Sequence, residues 1–454
     1  MKKLQHRTFF VLLFILLLCA GLVILTSFYV TQGAQWASFS ANRHVFSDGS
    51  IASGAIKDRN GEMLYNCGEG TYSEDWGTRV STLHAVGDRH GSIAGGAKTL
   101  FADHLVGFNL IAGTTGTGNT VTLTLDTKLN RTAYSAMDGR HGTASLYNYK
   151  TGELLCMVTT PTFDPDDEEE IAQVNAGDSD YEGAYLNRFL SATYTPGSTF
   201  KLVTTAAALE SLKNGDSFTY DCDGVKTVEG ERITCTEEHG EQNLSQALTN
   251  SCNGAFATLA IQMGGEALQK YAESAGLLRS VEVSGMTSAT GSFTFPGRDN
   301  DLGWAGVGQF RNLVNPCSEL TLMGCIAGGG KAATPRLLES VTNTAGIPIA
   351  HVSKDTSSIG WKKSTCERLT KMMHDNVVNK YSEDLDFGKL NVCAKSGTAE
   401  VGGGKRPHSW FVGFLDEPDY PYAFVVLVEN GGWGTEAAGN VAAKLVRTAC
   451  EIEE

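Results

Sequence analysis

The chain has 454 residues, 41% of them hydrophobic, with 51 acidic against 36 basic side chains for a net charge of −15. That length allows two or three folded units. The acidic balance argues against nucleic acid as a partner, because a phosphate backbone selects basic surfaces.

The first predicted element is a helix. Thr8 to Val30 carry no charge and are nearly all apolar. Those 23 residues make about 34 Å of helix, enough to cross a bilayer. Lys2, Lys3 and Arg7 precede the run, and the first acid is Asp48. The positive-inside rule then places the N-terminus in the cytoplasm and the rest outside a single-pass span. A cleaved signal peptide is the alternative, but the run is too long and no small-x-small site follows it. Residues 1–31 are therefore expected to be a cytoplasmic tip and membrane anchor.

Residues 32–119 are rich in Gly, Ser and Thr, with short apolar runs. This composition predicts a small β-rich pedestal. Residues 120–454 form the third expected unit, which opens with the alternating strand Val121-Thr122-Leu123-Thr124-Leu125. Asp126 is placed to cap a helix running through Met137. Thr143–Tyr149 and Leu154–Thr159 read as a hairpin turning at Lys150-Thr151-Gly152-Glu153. Asp164 to Glu170 reads as a solvated acidic loop. Pro196-Gly197 punctuates the chain before a helix from Ser198 through Leu212. Near the end, Tyr422–Glu429 reads as a strand. Glu436 through Ile452 reads as an amphipathic helix with Ala442, Leu445, Val446 and Ala449 on one face.

Ten cysteines follow the anchor. Cys222 and Cys235 bracket a stretch with Gly224 and Gly230 that suits a hairpin, and an extracellular site permits a disulfide between them. Two free thiols are the alternative. There is no Cys-x-x-Cys and no His-Glu-x-x-His, so neither a metal nor a cofactor is expected.

Three strings carry chemistry in chain order: Ser198-Thr199-Phe200-Lys201, Ser251-Cys252-Asn253 and Lys395-Ser396-Gly397-Thr398. Lys201 is the one lysine with a serine three places before it. On a helix that spacing puts both on one face, where the amine can take the hydroxyl proton. A lysine can accept only if its pKa is lowered, and burial near a second cation such as Lys395 would lower it. Ser251 and Asn253, two apart, face the same side of an extended segment. Cys252 is then turned away from them. Two decoys match by letter: Lys150-Thr151-Gly152 sits in the hairpin turn, and Ser40-Ala41-Asn42 lies beside the membrane.

The three strings together resemble the penicillin-binding proteins. So do Asn187-Arg188, Tyr194-Thr195-Pro196-Gly197 before the nucleophile, Gly308-Gln309, and His408-Ser409-Trp410-Phe411 after the third string. Asp58-Arg59-Asn60-Gly61 resembles a segment of the class B, transpeptidase-only members. The resemblance implies an α/β penicillin-binding transpeptidase fold: an antiparallel sheet flanked by helices, beside an all-helical subdomain. It implies that Ser198 is the nucleophile and Lys201 its base. Ser251 would relay a proton while Asn253 holds the substrate amide. Lys395, Ser396, Gly397 and Thr398 would line the substrate, with Lys395 and Thr398 reading its terminal carboxylate. The Ser198 and Thr398 backbone N–H groups would form the oxyanion hole. His239, His408 and Trp410 are expected to be structural, and Gln309 is given no catalytic role.

The implied activity is a peptidoglycan D,D-transpeptidase that cross-links stem peptides through a serine acyl-enzyme and is acylated by β-lactam antibiotics. It needs no cofactor, works at the cytoplasmic membrane, and by family analogy partners a SEDS-family glycan polymerase. The nearest rival is a D,D-carboxypeptidase or a β-lactamase-like hydrolase. A rival of another class is a non-catalytic cell-division scaffold or a β-lactam sensor.

Overall fold

The structure, a computed structural model, describes residues 2–38, 53–106, 108–109, 113–114, 117–294, 297–350 and 352–452. The Ser40-Ala41-Asn42 decoy lies outside these residues. A first helix, α1 (Lys2–Ser38), contains the one segment among the described residues long and apolar enough to cross a membrane, Lys3–Gly33. Its large apolar side chains, from Phe9 to Val30, stand exposed rather than packed on the protein.

Five strands build the sheet that carries the chemistry: β1 (Gly142–Asn148), β2 (Leu154–Thr160), β3 (Val392–Ala399), β4 (His408–Leu415) and β5 (Tyr422–Val428). Their order is β3-β4-β5-β1-β2, antiparallel throughout. The early hairpin thus completes a sheet begun by the last three strands. The period-2 alternation assigns each strand's residues to two cores. Ala144, Leu146, Phe411, Phe424 and Val426 pack on one face with Leu129, Ala133, Leu445 and Val446. Those four come from helices α2 (Thr127–Met137) and α8 (Asn440–Ala449). Tyr147, Trp410, Val412 and Val425 belong to the other core, with Leu320 and Met323 of α6 (Pro316–Ala327). Beside this face lies the helical part, including α3 (Lys201–Ser211), α4 (Asn253–Met263), α5 (Asp299–Val307) and α7 (Lys363–Asn379).

Several local expectations hold. Asp126 caps α2 by accepting from the Leu129 N–H at 3.2 Å. The hairpin turns where Gly152 takes φ +82°. The last helix is split, since Thr435–Gly439 form a π-helical turn before α8 begins.

Two expectations need correction. A boundary at 119/120 cuts through a second five-stranded sheet, ordered Leu338–Thr342, Thr120–Leu123, Ala55–Lys57, Met63–Asn66, Thr71–Tyr72. Thr120–Leu123 pairs in parallel with Ala55–Lys57, so the strand expected to open the catalytic unit lies inside the pedestal's sheet. Asp58 reinforces the joint. It is fully buried, accepts from the Asn60 and Glu62 N–H groups at 2.8 Å, and accepts from Thr127 of α2 at 3.0 Å. The acidic stretch, expected as a solvated loop, is the second correction. Asp164 is buried against Arg79, whose Nε donates to it at 2.9 Å, and Asp167 caps a helix over Glu168–Ala176. A partner cation and free helix N–H groups give these carboxylates a use that charge counting does not reveal.

Candidate active site

Ser198 does not sit in the first turn of a regular α-helix. Gly197–Phe200 form a 3₁₀ turn that leads into α3 at Lys201. Ser198 is half-buried while Gly197 and Thr199 on either side are buried. Gly197 takes φ +57°, and a Cβ there would come within 2.6 Å of the Thr398 carbonyl oxygen. Glycine therefore lets the nucleophile turn lie directly on β3. Three hydrogen bonds fix the joint. The Gly197 N–H donates to Gly308 O at 2.9 Å, Gln309 Nε2 donates to Thr398 O at 3.1 Å, and Trp410 Nε1 donates to Thr195 O at 3.0 Å.

The three strings meet at one hydroxyl, Ser251 Oγ, which both Lys201 and Lys395 contact. Lys201 is fully buried, and its Nζ lies 2.6 Å from Ser251 O, 3.0 Å from Ser251 Oγ and 2.8 Å from Asn253 Oδ1. Lys395, also fully buried, places its Nζ 3.2 Å from the same Ser251 Oγ and 2.9 Å from Ser396 O. Burial, then the charge of Lys395, holds Lys201 well below the usual lysine range. Burial and the charge of Lys380 bring Lys395 down to about 7. Ser251 takes φ +53°, a region sparsely populated by residues with a Cβ. Such strain persists only where the surroundings impose it. Here both lysines hold the Ser251 hydroxyl, and Asn253 Nδ2 donates to Thr234 O at 2.8 Å.

β3 is the end strand of its sheet. Lys395 and Thr398 lie on it, and Thr398 is half-buried. Ser396 departs from its expected place beside the substrate. Its Oγ lies 3.0 Å from Tyr381 Oη, and its N–H donates to the same oxygen at 3.1 Å. Lys395 uses the cleft side, so the next residue turns to the core, where Tyr381 packs edge-on to Phe411. Gly397 was expected to admit the substrate. A Cβ there would instead meet Thr199 Cγ2 at 2.9 Å and Pro196 O at 3.0 Å, so its bareness serves the packing of β3 on the nucleophile turn.

Other residues were missed or misjudged. Gln309 positions the Thr398 carbonyl. Tyr381 holds Ser396. Glu319 of α6 is buried behind the turn, 3.4 Å from Thr199 Oγ1, and burial raises its pKa to about 7. Gln309 lies in the Gly308-Gln309 string, which assigns it no role, and no local string marks Tyr381 or Glu319, because each acts across the fold.

The expected Cys222–Cys235 disulfide is not formed. The two sulfurs are 3.7 Å apart, against about 2.05 Å for a bond. The expectation that no ligand set exists also needs correction. Cys222, Cys235, His239 and Cys252 bring one donor atom each to within 4.8 Å of one another. Cys252 does turn away from the cleft, as expected, and it turns into this cluster. His408 and Trp410 are structural: the Asn430 N–H donates to His408 Nδ1 at 3.1 Å.

Comparison with known proteins agrees with this geometry. Residues 142–451 match the family described as the penicillin binding protein transpeptidase domain. The peptidoglycan D,D-transpeptidase PbpA of Mycolicibacterium smegmatis is 28% identical over 375 residues, covering 77% of this chain and 74% of that protein. Stage V sporulation protein D of Bacillus subtilis is 29% identical over 317 residues, 66% of this chain and 47% of that protein. Among solved structures, a D,D-transpeptidase domain from Eggerthella lenta superimposes with a TM-score of 0.77 at 25% identity, covering 88% of this chain and 98% of that one. A ceftriaxone acyl-enzyme complex of penicillin-binding protein A from M. tuberculosis gives 0.78 at 22% identity over 88% and 98%, a likeness of fold. With the family pattern spanning most of its length and the three strings converging on Ser251 Oγ, the chain belongs to the penicillin-binding protein transpeptidase family.

Proposed function

We propose that the chain is a peptidoglycan D,D-transpeptidase of the class B type, with Ser198 as the nucleophile. The single observation that carries this reading is Lys201 Nζ, buried one turn from Ser198 and in contact with both Ser251 and Asn253. A neutral amine has two N–H groups and one lone pair. The two shortest contacts, Ser251 O and Asn253 Oδ1, take the N–H groups. The lone pair is left for a hydroxyl proton.

The reaction follows. Ser198 Oγ gives its proton to Lys201 Nζ and forms a bond to the carbonyl carbon of the penultimate D-Ala. The Ser198 and Thr398 N–H groups hold the oxyanion, and Lys395 with Thr398 holds the terminal carboxylate. Ser251 passes a proton to the departing amine and is refilled from Lys201, and the terminal D-Ala leaves. An amine of a second stem peptide then attacks the ester, and its proton returns through Lys201 to Ser198. A β-lactam acylates the same oxygen, but its amine stays tethered.

The relatives named D,D-transpeptidases and the acyl-enzyme complexes formed on the same fold support this reading. The apolar helix Lys3–Gly33 supports an anchored protein, and Lys2, Lys3 and Arg7 at its start support an N-terminus in the cytoplasm with the chemistry outside. Two similar folds come from assemblies, one titled a peptidoglycan synthase complex coordinating polymerization and crosslinking and one a complex of PBP2 with MreC. The first favours a glycan polymerase as partner.

The test is labelling of the full chain in detergent with a fluorescent penicillin, beside Ser198→Ala. A label that lasts for hours on the parent and is absent from the variant is the expected result. A label that decays within minutes would favour the hydrolase, and no label on a folded parent would sink the enzyme reading.

A further inference from the structure

We propose that Cys222, Cys235, His239 and Cys252 bind one zinc ion, and that this ion fixes the Ser251–Asn253 loop in its working position. Zinc bound tetrahedrally at about 2.3 Å from sulfur and 2.0–2.1 Å from nitrogen sets its sulfurs about 3.8 Å apart and sulfur and nitrogen about 3.5 Å apart. The structure has Cys222 Sγ–Cys235 Sγ at 3.7 Å, Cys235 Sγ–Cys252 Sγ at 3.7 Å and Cys222 Sγ–His239 Nδ1 at 3.4 Å. One disulfide would leave the third sulfur and the imidazole without a purpose, whereas a tetrahedral ion uses all four donors.

The surroundings suit thiolates. The Gly254 N–H donates to Cys235 Sγ at 3.3 Å and the Ala255 N–H to Cys252 Sγ at 3.4 Å. With Nδ1 turned to the cluster, His239 Nε2 is buried without a hydrogen-bond partner among the described residues, 3.8 Å from a Glu237 carboxylate oxygen. Three thiolates and one imidazole make a closed, sulfur-rich set without an open position, which selects a structural zinc rather than a catalytic one. Loading releases the three thiol protons to solvent, and no redox step is involved.

The location gives the ion its effect. Cys222 ends the ribbon of Thr219–Cys222 with Gly240–Asn243, and Cys235 follows the hairpin of Val225–Val228 with Glu231–Thr234. Of the hairpin's eight strand residues, Ile233 alone is buried. Two-stranded ribbons of this kind are marginal without further support. Cys252 stands between Ser251 and Asn253, and the carbonyl that Asn253 Nδ2 holds belongs to Thr234, next to Cys235. Ligation through Cys252 and Cys235 thus pins both ends of that contact and holds the strained Ser251.

The test uses the full chain purified in detergent under reducing conditions without chelator. Inductively coupled plasma mass spectrometry should find about one zinc per chain in the parent and far less in Cys235→Ser and His239→Ala. Stripping the parent with a chelator should slow penicillin acylation at least about tenfold, and zinc chloride alone should restore it. Zinc near zero in a reduced parent that also fails to take up zinc chloride overturns the site. So does an intact mass two hydrogens light, with Cys222 and Cys235 joined. Full zinc occupancy with unchanged acylation after stripping overturns the role in fixing the loop. Metal content is read without catalysis, so failure of the site and failure of the transpeptidase reading are separate results, and the parent's stoichiometry decides even if a variant does not fold.

Discussion

The two walls of the cleft are held in different ways. The wall carrying Ser198 and Lys395 rests on the five-stranded sheet, where Phe387, Phe411 and Phe424 stack at 6.1 Å spacing and Trp410 is fully buried. The wall carrying Ser251 and Asn253 lies between the helix Leu244–Thr249 and α4, and it is flanked by two short ribbons with almost no core of their own. The first is rigid because apolar area is removed from water on both faces of a sheet. The second also buries Leu248, Cys252 and Phe256, but its ribbons rest on specific polar contacts, and it has the one strained backbone position in the catalytic strings outside glycine. Position on one wall is bulk packing, and position on the other is packing supplemented by a few named bonds.

The bridge between the walls gives the largest effect. Lys201→Ala removes the base and the contacts to Ser251 and Asn253, so penicillin acylation should fall by about 10³-fold or more, read by stopped-flow labelling. On the packed wall, Glu319→Gln tests what burial costs. The native carboxyl, raised to about 7, keeps a proton that the unfolded chain gives up near pH 4.5. The native state is therefore most favoured below about pH 4.5 and loses stability as pH rises to about 7. The glutamine variant should lack that slope in denaturant titrations and be more stable at pH 8, by on the order of 3 kcal/mol. On the hung wall, Asn253→Ala frees Lys201 Nζ and Thr234 O at once. Acylation should fall about 10- to 100-fold with little change in thermal midpoint, the signature of lost placement rather than lost core. The smallest effect is Lys380→Ala. It removes a charge that lowers Lys395, so the alkaline limb of the acylation profile should move up by less than about one pH unit.

What was legible in the sequence divides along the same line. Ser198-Thr199-Phe200-Lys201 and Lys395-Ser396-Gly397-Thr398 declare themselves because a helix turn and a strand fix neighbours at short spacing. The Lys150–Glu153 turn and the Asp126 cap are equally local. Most of the failures are long-range; the Asp167 cap and the 3₁₀ turn at Ser198 are the local ones. Nothing near Ser396 says that Tyr381 takes its hydroxyl, and nothing near Glu319 says that its helix is buried on that side. The donors at 222, 235, 239 and 252 fit no compact motif because two separate ribbons and a helix start bring them together. Sequence reading favoured a single pair of cysteines there, since a pair is the largest set that linear spacing suggests.

The strand Leu338–Thr342 has a consequence for the order in which the protein is made. It pairs with Thr120–Leu123, and Thr124 Oγ1 lies 2.9 Å from the carbonyl of Arg336, 212 residues downstream. The segment that follows the apolar helix leaves the ribosome first, yet its sheet lacks an edge until the middle of the catalytic chain has been delivered. Closing so long a loop is slow, and an unpaired edge invites other strands. The base of this enzyme is therefore finished late, and a fragment that stops before residue 338 should be an aggregating one.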